Sequence, residues 1–492
     1  MLPKPGESAA VPEGFPDQGD ALLPEGGRFP GTAPFPGRTP SPGTTDPPGT
    51  APFPDAVGFP DTVGFPDTMP FPGALPFSDA TPFPGRTHPP DNTPFPGTTP
   101  FPGTTPFPGT SGRLPNSVRL GLVAERDPRS AALVERLLRA SVRVLPQARV
   151  AGEFAFTLAG ARGQDGAWQL RPSGTSPRYG TIAALGLMRL PGEDQRGVLG
   201  GEDCHDFVGR LARRLDRMTN LGDAALLCWA AAEAGHGELP HALDRLTELD
   251  QRDGTVDVIA AAWVVTALVA ARPLADVEQH LAAARDRLLA ARAGVYPHVA
   301  VGTTSWYRSH VGSFADQVYP VQALARLHGS ADDPEALAAA ESVAAAICRA
   351  QGKAGQWWWH YDARTGAVVR AYPAGSVHQY AMAPMALLDL ADAGGQPYLE
   401  AICRGLRWLA KPPETSESLI LDEPPVIWRK VARGKRRKAE GGLRAASARL
   451  RPWVRLPLLD RLLRPGTVDH ECRPYELGWL LMAWLPAMAW RE

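Results

Sequence analysis

Residues 350–390 read AQGKAGQWWWHYDARTGAVVRAYPAGSVHQYAMAPMALLDL. An Ala-rich helical pattern (334–351) ends at its start, and an apolar helical pattern (376–393) begins in its second half. Between them, segments 356–361 and 367–372 are rich in aromatic and β-branched residues and are separated by Asp362-Ala-Arg-Thr-Gly366. That spacing predicts a small hairpin. A helix, a short hairpin and a second helix in immediate succession suggest helices paired through irregular loops, with side chains gathered where the loops meet.

The same rhythm fills the chain after Asn116. Asp127-Pro128 is an N-cap followed by a proline at the first helical position, opening a helix to about Leu145. Asn220 caps LGDAALLCWAAAEA and Gly235 closes it. Further helices are expected over 177–190, 203–218, 239–250, 256–272, 276–293, 313–328, 396–410, 443–463 and 473–490. No alternating run is long enough to argue for a large sheet.

The first part of the chain is different. From Phe29 to Thr110, Phe recurs with a period of six (FPGTAP, FPGRTP, FPDTVG, FPGTTP), with Pro after it in nearly every copy. Such a segment lacks backbone donors and cannot bury isolated rings, so residues 1–115 are expected to be a disordered tail. It reads as a spacer or a multivalent ligand for an aromatic-lined groove, against a neutral linker or a start codon placed too far upstream. Of 51 basic and 52 acidic residues, five and eleven lie at or before Arg113, giving the tail −6 and the rest +5. Neither value demands a nucleic-acid partner.

Five scattered cysteines without a CxxC read as reduced thiols, and MLPKPGESAAVPEG has no apolar core of a signal peptide. A cytoplasmic protein is expected. The most apolar stretch, GWLLMAWLPAMAW (478–490), contains Pro486 and is too short to span a bilayer.

Gln351, Gly355 and Trp357 of QGKAGQW stand at the spacing of the QW motif of terpenoid cyclases, and RGQDGAW (162–168) repeats the Gly and Trp with Arg162 in place of Gln. On these two motifs the chain resembles the α/α-toroid superfamily, which includes six-hairpin glycosidases, polysaccharide lyases, sugar epimerases, terpenoid cyclases and prenyltransferase β-subunits. The resemblance implies an all-α fold over 116–492, an (α/α)6 toroid of helical hairpins. In the motif Gln ties a helix end to the next turn, Gly permits the turn and Trp packs across it, so it speaks to fold rather than chemistry.

Among toroid chemistries, a protonating cyclase needs a D-x-D-D cluster. None occurs, and Asp253-Gly-Thr-Val-Asp257 has the wrong spacing. Asp469-His470-Glu471-Cys472 holds zinc-ligand types, yet adjacent residues cannot all reach one ion, so no metal or other cofactor is expected. Carbohydrate-active toroids stack sugars on aromatic rings at the mouth of the ring, with carboxylates, His or Tyr moving protons. Four loops offer that kit.

SWYRSH (305–310) presents Trp306, Tyr307 and His310; WWWHYD presents Trp358, His360 and Asp362; YPAGSVHQYAMAP presents Tyr372 and His378; ECRPYELGW presents Glu471, Arg473 and Glu476. Asp316 joins them at the start of its helix. The expected roles are Asp362 or Glu471 as acid, His378 as base or orienting group, and Trp306 and Trp358 as stacking platforms, with His360 a further catalytic candidate. Each has a structural counterpart: Asp362 as a turn residue, Asp316 as a cap, His378 as a hydrogen-bonded core histidine. Glu471 and Glu476, five apart on a helix, cannot both face one atom. The insertion 411–466, with its basic run RKVARGKRRK (429–438), reads as a solvated face or as an arm for anionic lipid or a diphosphate.

The leading reading is glycan hydrolysis, elimination or epimerisation. The alternatives are an isoprenoid cyclase or transferase, and a non-catalytic toroidal scaffold.

Overall fold

The computed structural model describes residues 114–252, 254–432, 444–449 and 466–487. The expected disordered tail, the run 433–438 and most of the expected helix 443–463 lie outside the described residues.

The helices follow one another with sequence-coded ends: α1 (Val118–Arg126), α2 (Pro128–Val144), α3 (Pro177–Leu187), α4 (Gly192–Leu199), α5 (Cys204–Ala212), α6 (Leu221–Glu233), α7 (Leu239–Asp250), α8 (Val258–Ala271), α9 (Glu278–Ala290), α10 (Ala315–Ala331), α11 (Pro334–Ala350), α12 (Ala383–Asp392), α13 (Leu399–Ala410) and α14 (Pro474–Trp484). Side chains of Ser117, Asp127, Ser176, Asp203, Asn220, Asp257 and Asp333 accept first-turn N–H groups at seven of these starts, satisfying donors that a helix leaves without partners.

Two kinds of helix alternate. On α8, VIAAAWVVTALVAA, almost every side chain is buried. On α7 only Leu239, Ala242, Leu246 and Leu249 are, a single stripe at helical spacing. The helices buried on nearly all sides form an inner ring: α3 packs on α6, α6 on α8, α8 on α10, α10 on α12, α12 on α14, and α14 returns to α3. Striped helices lie outside, α5 and α7 on α6, α9 on α8, α11 on α10, and α2 between α13 and α14. The chain is an α/α toroid.

The inner helices run parallel, and contacts at both ends of the ring show it. At one end, first-turn or pre-helix residues of neighbours meet: Arg178 of α3 bonds Asn220 and Asp223 at α6, and the rings of Tyr179 of α3 and Tyr475 of α14 meet at a tilt, 4.6 Å between centroids. At the other end, late residues meet in an ion network. Asp389 of α12 takes Arg326 of α10 at 2.7 Å and Arg119 of α1 at 2.5 Å, while Glu233 of α6 takes Arg189 at 3.2 Å. Between the ends the axis is filled by Trp229, Trp263, Tyr319 and Trp479, with ring centroids 5.1–6.0 Å apart.

Short strands crown the rim at which the inner helices begin. The expected hairpin forms as Trp358–Asp362 against Val368–Pro373, and Val311–Ser313 adds a third strand. A second three-stranded sheet, Thr157–Arg162, Trp168–Ser173 and Glu471–Cys472, was not anticipated.

The QW-type motifs diverge. Gln351 donates to the carbonyls of Gly355 (2.8 Å) and Ala401 (2.9 Å), tying the end of α11 to α13, and Trp357 is fully buried. Gly355 has φ +103°, and a Cβ there would lie 2.0 Å from the Arg404 carbonyl. RGQDGAW, in contrast, is the turn of a hairpin in which Arg162 pairs with Trp168 and lays its guanidinium over that ring at 4.1 Å. The expected helix 203–218 stops at Ala212 and continues as a 3-10 turn (Leu215–Arg217), and the expected helix 376–393 begins as a π-helical turn, His378–Met382. No described helix is long and apolar enough to cross a membrane.

Candidate functional site

The rim holds three adjoining groups of side chains. The first is built on the starts of α8 and α10. The strand Val256–Asp257 pairs with Val299–Val301, which sets His298 beside Asp257, and the His298 N–H is held by the Val311 carbonyl at 3.1 Å. Asp316 sits in a capping box with Ser313: one oxygen accepts the Ser313 N–H (2.6 Å) and Oγ–H (2.8 Å), and Ser313 Oγ accepts the Asp316 N–H at 3.2 Å. Its other oxygen lies 3.2 Å from His298 Nδ1. Gln317 fixes the approach of this loop by bonding both the N–H and the C=O of Tyr296 at 2.8 Å.

The electrostatics separate the three groups. Asp316 raises the His298 pKa to about 9 against desolvation, so the imidazole is a cation at neutral pH. Burial holds Asp257 above the usual carboxylate range, although it accepts the Ala260 N–H at 2.7 Å and feels His298. Asp316, a charged His298 and Asp257 therefore stand together at the starts of two neighbouring inner helices. Arg178, ion-paired to Asp223, is next along the rim, its guanidinium 5.9 Å from the Trp263 ring.

The second group lies on the sheet before α10 and α12. Asp362 is fully buried and forked by Arg364, at 3.0 Å to Nε and 2.7 Å to a terminal nitrogen, while it also accepts the Arg364 N–H. It is the turn residue that its position suggested. His310, 3.9 Å from Asp362, has no hydrogen-bond partner among the described residues at either ring nitrogen, and burial lowers its pKa. His360 pairs across the strands with Arg370 and lines a small solvent-open pocket with Arg308 and Arg444. Trp306 is 67% exposed at the mouth, with Tyr307 beside it and Arg449 5.8 Å from its ring. Trp358 donates its indole N–H to the Ala350 carbonyl at 2.8 Å, closing the end of α11, and it is Trp359 that reaches the rim beside His378, at 5.4 Å between centroids.

The third group surrounds the start of α14. His378 accepts no carboxylate partner among the described residues; burial lowers its pKa to about 3, with Arg429 and Lys430 adding to the effect. Its Nδ1 faces the Gly375 carbonyl at 3.2 Å, which makes it a neutral, core-facing histidine. Tyr372 donates its hydroxyl to the Val431 carbonyl. Glu471 is held by Arg473 at 3.1 Å, and Arg473 also reaches Tyr179 Oη at 3.0 Å. Glu476 is fully buried with no side-chain donor on either oxygen among the described residues; Arg429 Nε is 4.0 Å away. Burial raises its pKa to about 7, against the pull of Arg429 and Arg473.

The four sequence loops thus reach one rim, but Asp257, His298, Arg178 and Arg370 are not marked as site residues by the sequence, and Arg429 reads there only as the start of a basic run. Asp257 was visible only inside DGTVD, where its cap position was masked by the wrong cyclase spacing. His298 lies in a loop, YPHVAVG, with no periodicity to flag it. The residues of DHEC face different partners: His470 meets Glu417 at 2.5 Å, Asp469 meets Lys430 at 3.7 Å, and Cys472 is buried.

No protein-family model matches the chain, and no curated protein does. Solved structures of similar helical arrangement include the unsaturated glucuronyl hydrolase of Bacillus sp. GL1, at 13% identity and a TM-score of 0.45, covering 71% of this chain and 94% of that one. The unsaturated glucuronyl hydrolase of Streptococcus agalactiae gives 11% and 0.46, over 75% and 95%. A glycosyl hydrolase family 88 protein from Bacteroides vulgatus gives 12% and 0.45, over 71% and 97%.

Proposed function

We propose that the chain hydrolyses a glycan at the rim, with Asp257, His298 and Asp316 as its proton-handling centre. The observation that carries this is the meeting of two carboxyl groups beside one cationic histidine at neighbouring helix starts. Burial shifts Asp257 towards its protonated form, and Asp316 is bonded by Ser313 and faces the His298 imidazole. A carboxyl shifted towards its protonated form suits the acid, and one facing a histidine at the next helix start suits the base. Asp257 protonates the glycosidic oxygen as the bond to the leaving sugar breaks. Asp316 takes the proton of the water whose oxygen bonds the anomeric carbon. Trp306 and Tyr307 supply apolar surface for sugar rings at the mouth.

The expected acids fit less well. Asp362 and Glu471 are each occupied by an arginine, and a His378 with a pKa near 3 is a weak base for elimination or epimerisation. An isoprenoid substrate needs a hollow aromatic cavity, whereas this ring's axis is packed with indole and phenol rings.

The test is a panel of neutral and acidic oligosaccharides and prenyl diphosphates, read by thermal shift and by release of reducing ends. A glycan should raise the melting temperature and be cleaved. Asp257→Asn and Asp316→Asn should each lower kcat by about 10²–10⁴ with binding retained. Cleavage unchanged in both variants, or stabilisation by prenyl diphosphates alone, would sink the reading.

A further inference from the structure

Arg429 stands where the insertion 411–466 meets the rim, and its backbone is pinned on both sides. Its N–H donates to the Glu471 carbonyl at 2.8 Å, and its own carbonyl accepts the Ser376 N–H at 2.7 Å. The next residues, Lys430–Ala432, pair with Thr467–Asp469, and the basic run of the sequence continues from there. The side chain is less committed. Its guanidinium lies 3.7 Å from Asp469, 3.6 Å from Glu471 and 4.0 Å from Glu476, each farther than a charge-assisted hydrogen bond of about 2.7–2.9 Å. One cation is shared among three carboxyl groups and closely bonded to none of them. Two of the three have another cation: Lys430 is 3.7 Å from Asp469, and Arg473 is 3.1 Å from Glu471. Glu476, fully buried at the start of α14, has only Arg429 within ion-pair distance among the described residues, and no side-chain donor on either oxygen.

We propose that Glu476 and Arg429 form a pH-operated switch at the root of this insertion. With Glu476 protonated, the guanidinium stays shared with Asp469 and Glu471. When Glu476 gives up its proton, an anion is left where water does not reach, and such a charge is costly until a cation bonds it. Arg429 is the cation within reach. Closing the gap by about 1 Å makes a charge-assisted bond and draws the guanidinium inward, away from its two outer partners. Because the backbone is pinned, side-chain torsions carry the movement. The other groups facing Glu476 are Arg473 before the helix, Asp469 on its strand, Tyr380 in the π-helical turn, and the neighbouring Cys472 and Tyr475. Burial holds the thiol and both phenols well above their ordinary values, so none of these three changes charge near neutrality. Glu476 itself is raised by burial to about 7, against the pull of Arg429 and Arg473. Arg429 is therefore drawn inward above pH 7 and released below it. The switch is independent of the carbohydrate chemistry at Asp257 and Asp316.

NMR of the full chain carrying isotope-labelled arginine tests it, through the Arg429 Nε–H signal, assigned by its loss in Arg429→Lys. From pH 5 to pH 9 that signal should move downfield with a midpoint near 7. Its exchange with water, which ordinarily quickens in proportion to hydroxide, should level off over the same range. Glu476→Gln keeps the shape and removes the ionisation, so the signal should stay in place and its exchange should keep quickening. Asp469→Asn removes a competing carboxyl that also raises the Glu476 pKa, and should move the midpoint down. No movement near pH 7 in the parent, the same movement in Glu476→Gln, or a midpoint unaltered by Asp469→Asn would overturn the proposal.

Discussion

A carboxyl group moved out of water without a donor holds its proton more tightly, and Glu476 is the clearest case in this chain. Its pKa in the folded protein is about 7 against 4.5 as the reference value. The folded state therefore binds this proton more strongly than the unfolded state. The associated stability is complete below pH 4.5 and is lost as pH rises through 7, amounting to roughly 3 kcal/mol at one pK unit per 1.36 kcal/mol. Glu476→Gln removes the ionisation. Thermal melts from pH 5 to pH 8 should show a smaller decline in the variant than in the parent, and parallel profiles would show that Glu476 is not the titrating group. Three adjacent tryptophans divide in the same residue-level way. Trp357 lies in the core, Trp358 caps a helix end and Trp359 meets His378. Sequence alternation separated the middle ring from its neighbours but could not say which side of the sheet faced the rim.

The elements set the geometry of the centre through loops rather than through helix interiors. Gln317, in the first turn of α10, is fully buried and makes three bonds, two to Tyr296 and one to the Ser313 carbonyl at 3.0 Å. It positions the segment that carries His298. Gln317→Leu keeps the volume and leaves those backbone groups without their partner, a cost of about 1–3 kcal/mol. If the loop positions His298, the imidazole pKa read by NMR should fall from about 9 towards its ordinary 6.5 as contact with Asp316 loosens. A merely structural glutamine would lower the melting temperature and leave that titration where it was. The capping box is legible in SFAD, but its second use, holding a carboxylate against a histidine from a loop eighteen positions away, is not.

At the scale of the whole ring, the closing contact is between the first and last inner helices. A Cβ at Gly186 would lie 2.2 Å from the Gly478 carbonyl, and one at Gly478 would lie 2.4 Å from the Ile182 carbonyl. The two backbones touch, so neither helix has room for a methyl group. Gly186→Ala should destabilise the protein by about 1–3 kcal/mol or more, since the crowded atoms are backbone and have no rotamer to yield. Gly329→Ala, at an exposed position of α10 with open space around it, should be neutral or stabilising by up to about 1 kcal/mol. Chemical denaturation of the pair checks this; equal stability of the two variants would show that ring closure does not depend on the Gly186–Gly478 contact.

The sequence by itself determined most of the helices, the caps at Asp127 and Asn220 and the hairpin after Trp357, because helical periodicity and capping are written within a few neighbouring residues. The apolar character of α8 against the single stripe of α7 also sorts inner helices from outer ones. The ring's closure, the hairpin at RGQDGAW and the meeting of Asp257, His298 and Asp316 were decided only by the tertiary structure. Each joins residues whose separation along the chain has no fixed period, and a carboxyl's protonation depends on burial and on charges brought in by other segments. Local pattern records what a residue does to its own turn of helix, whereas the chemistry of this rim comes from which turns are placed side by side.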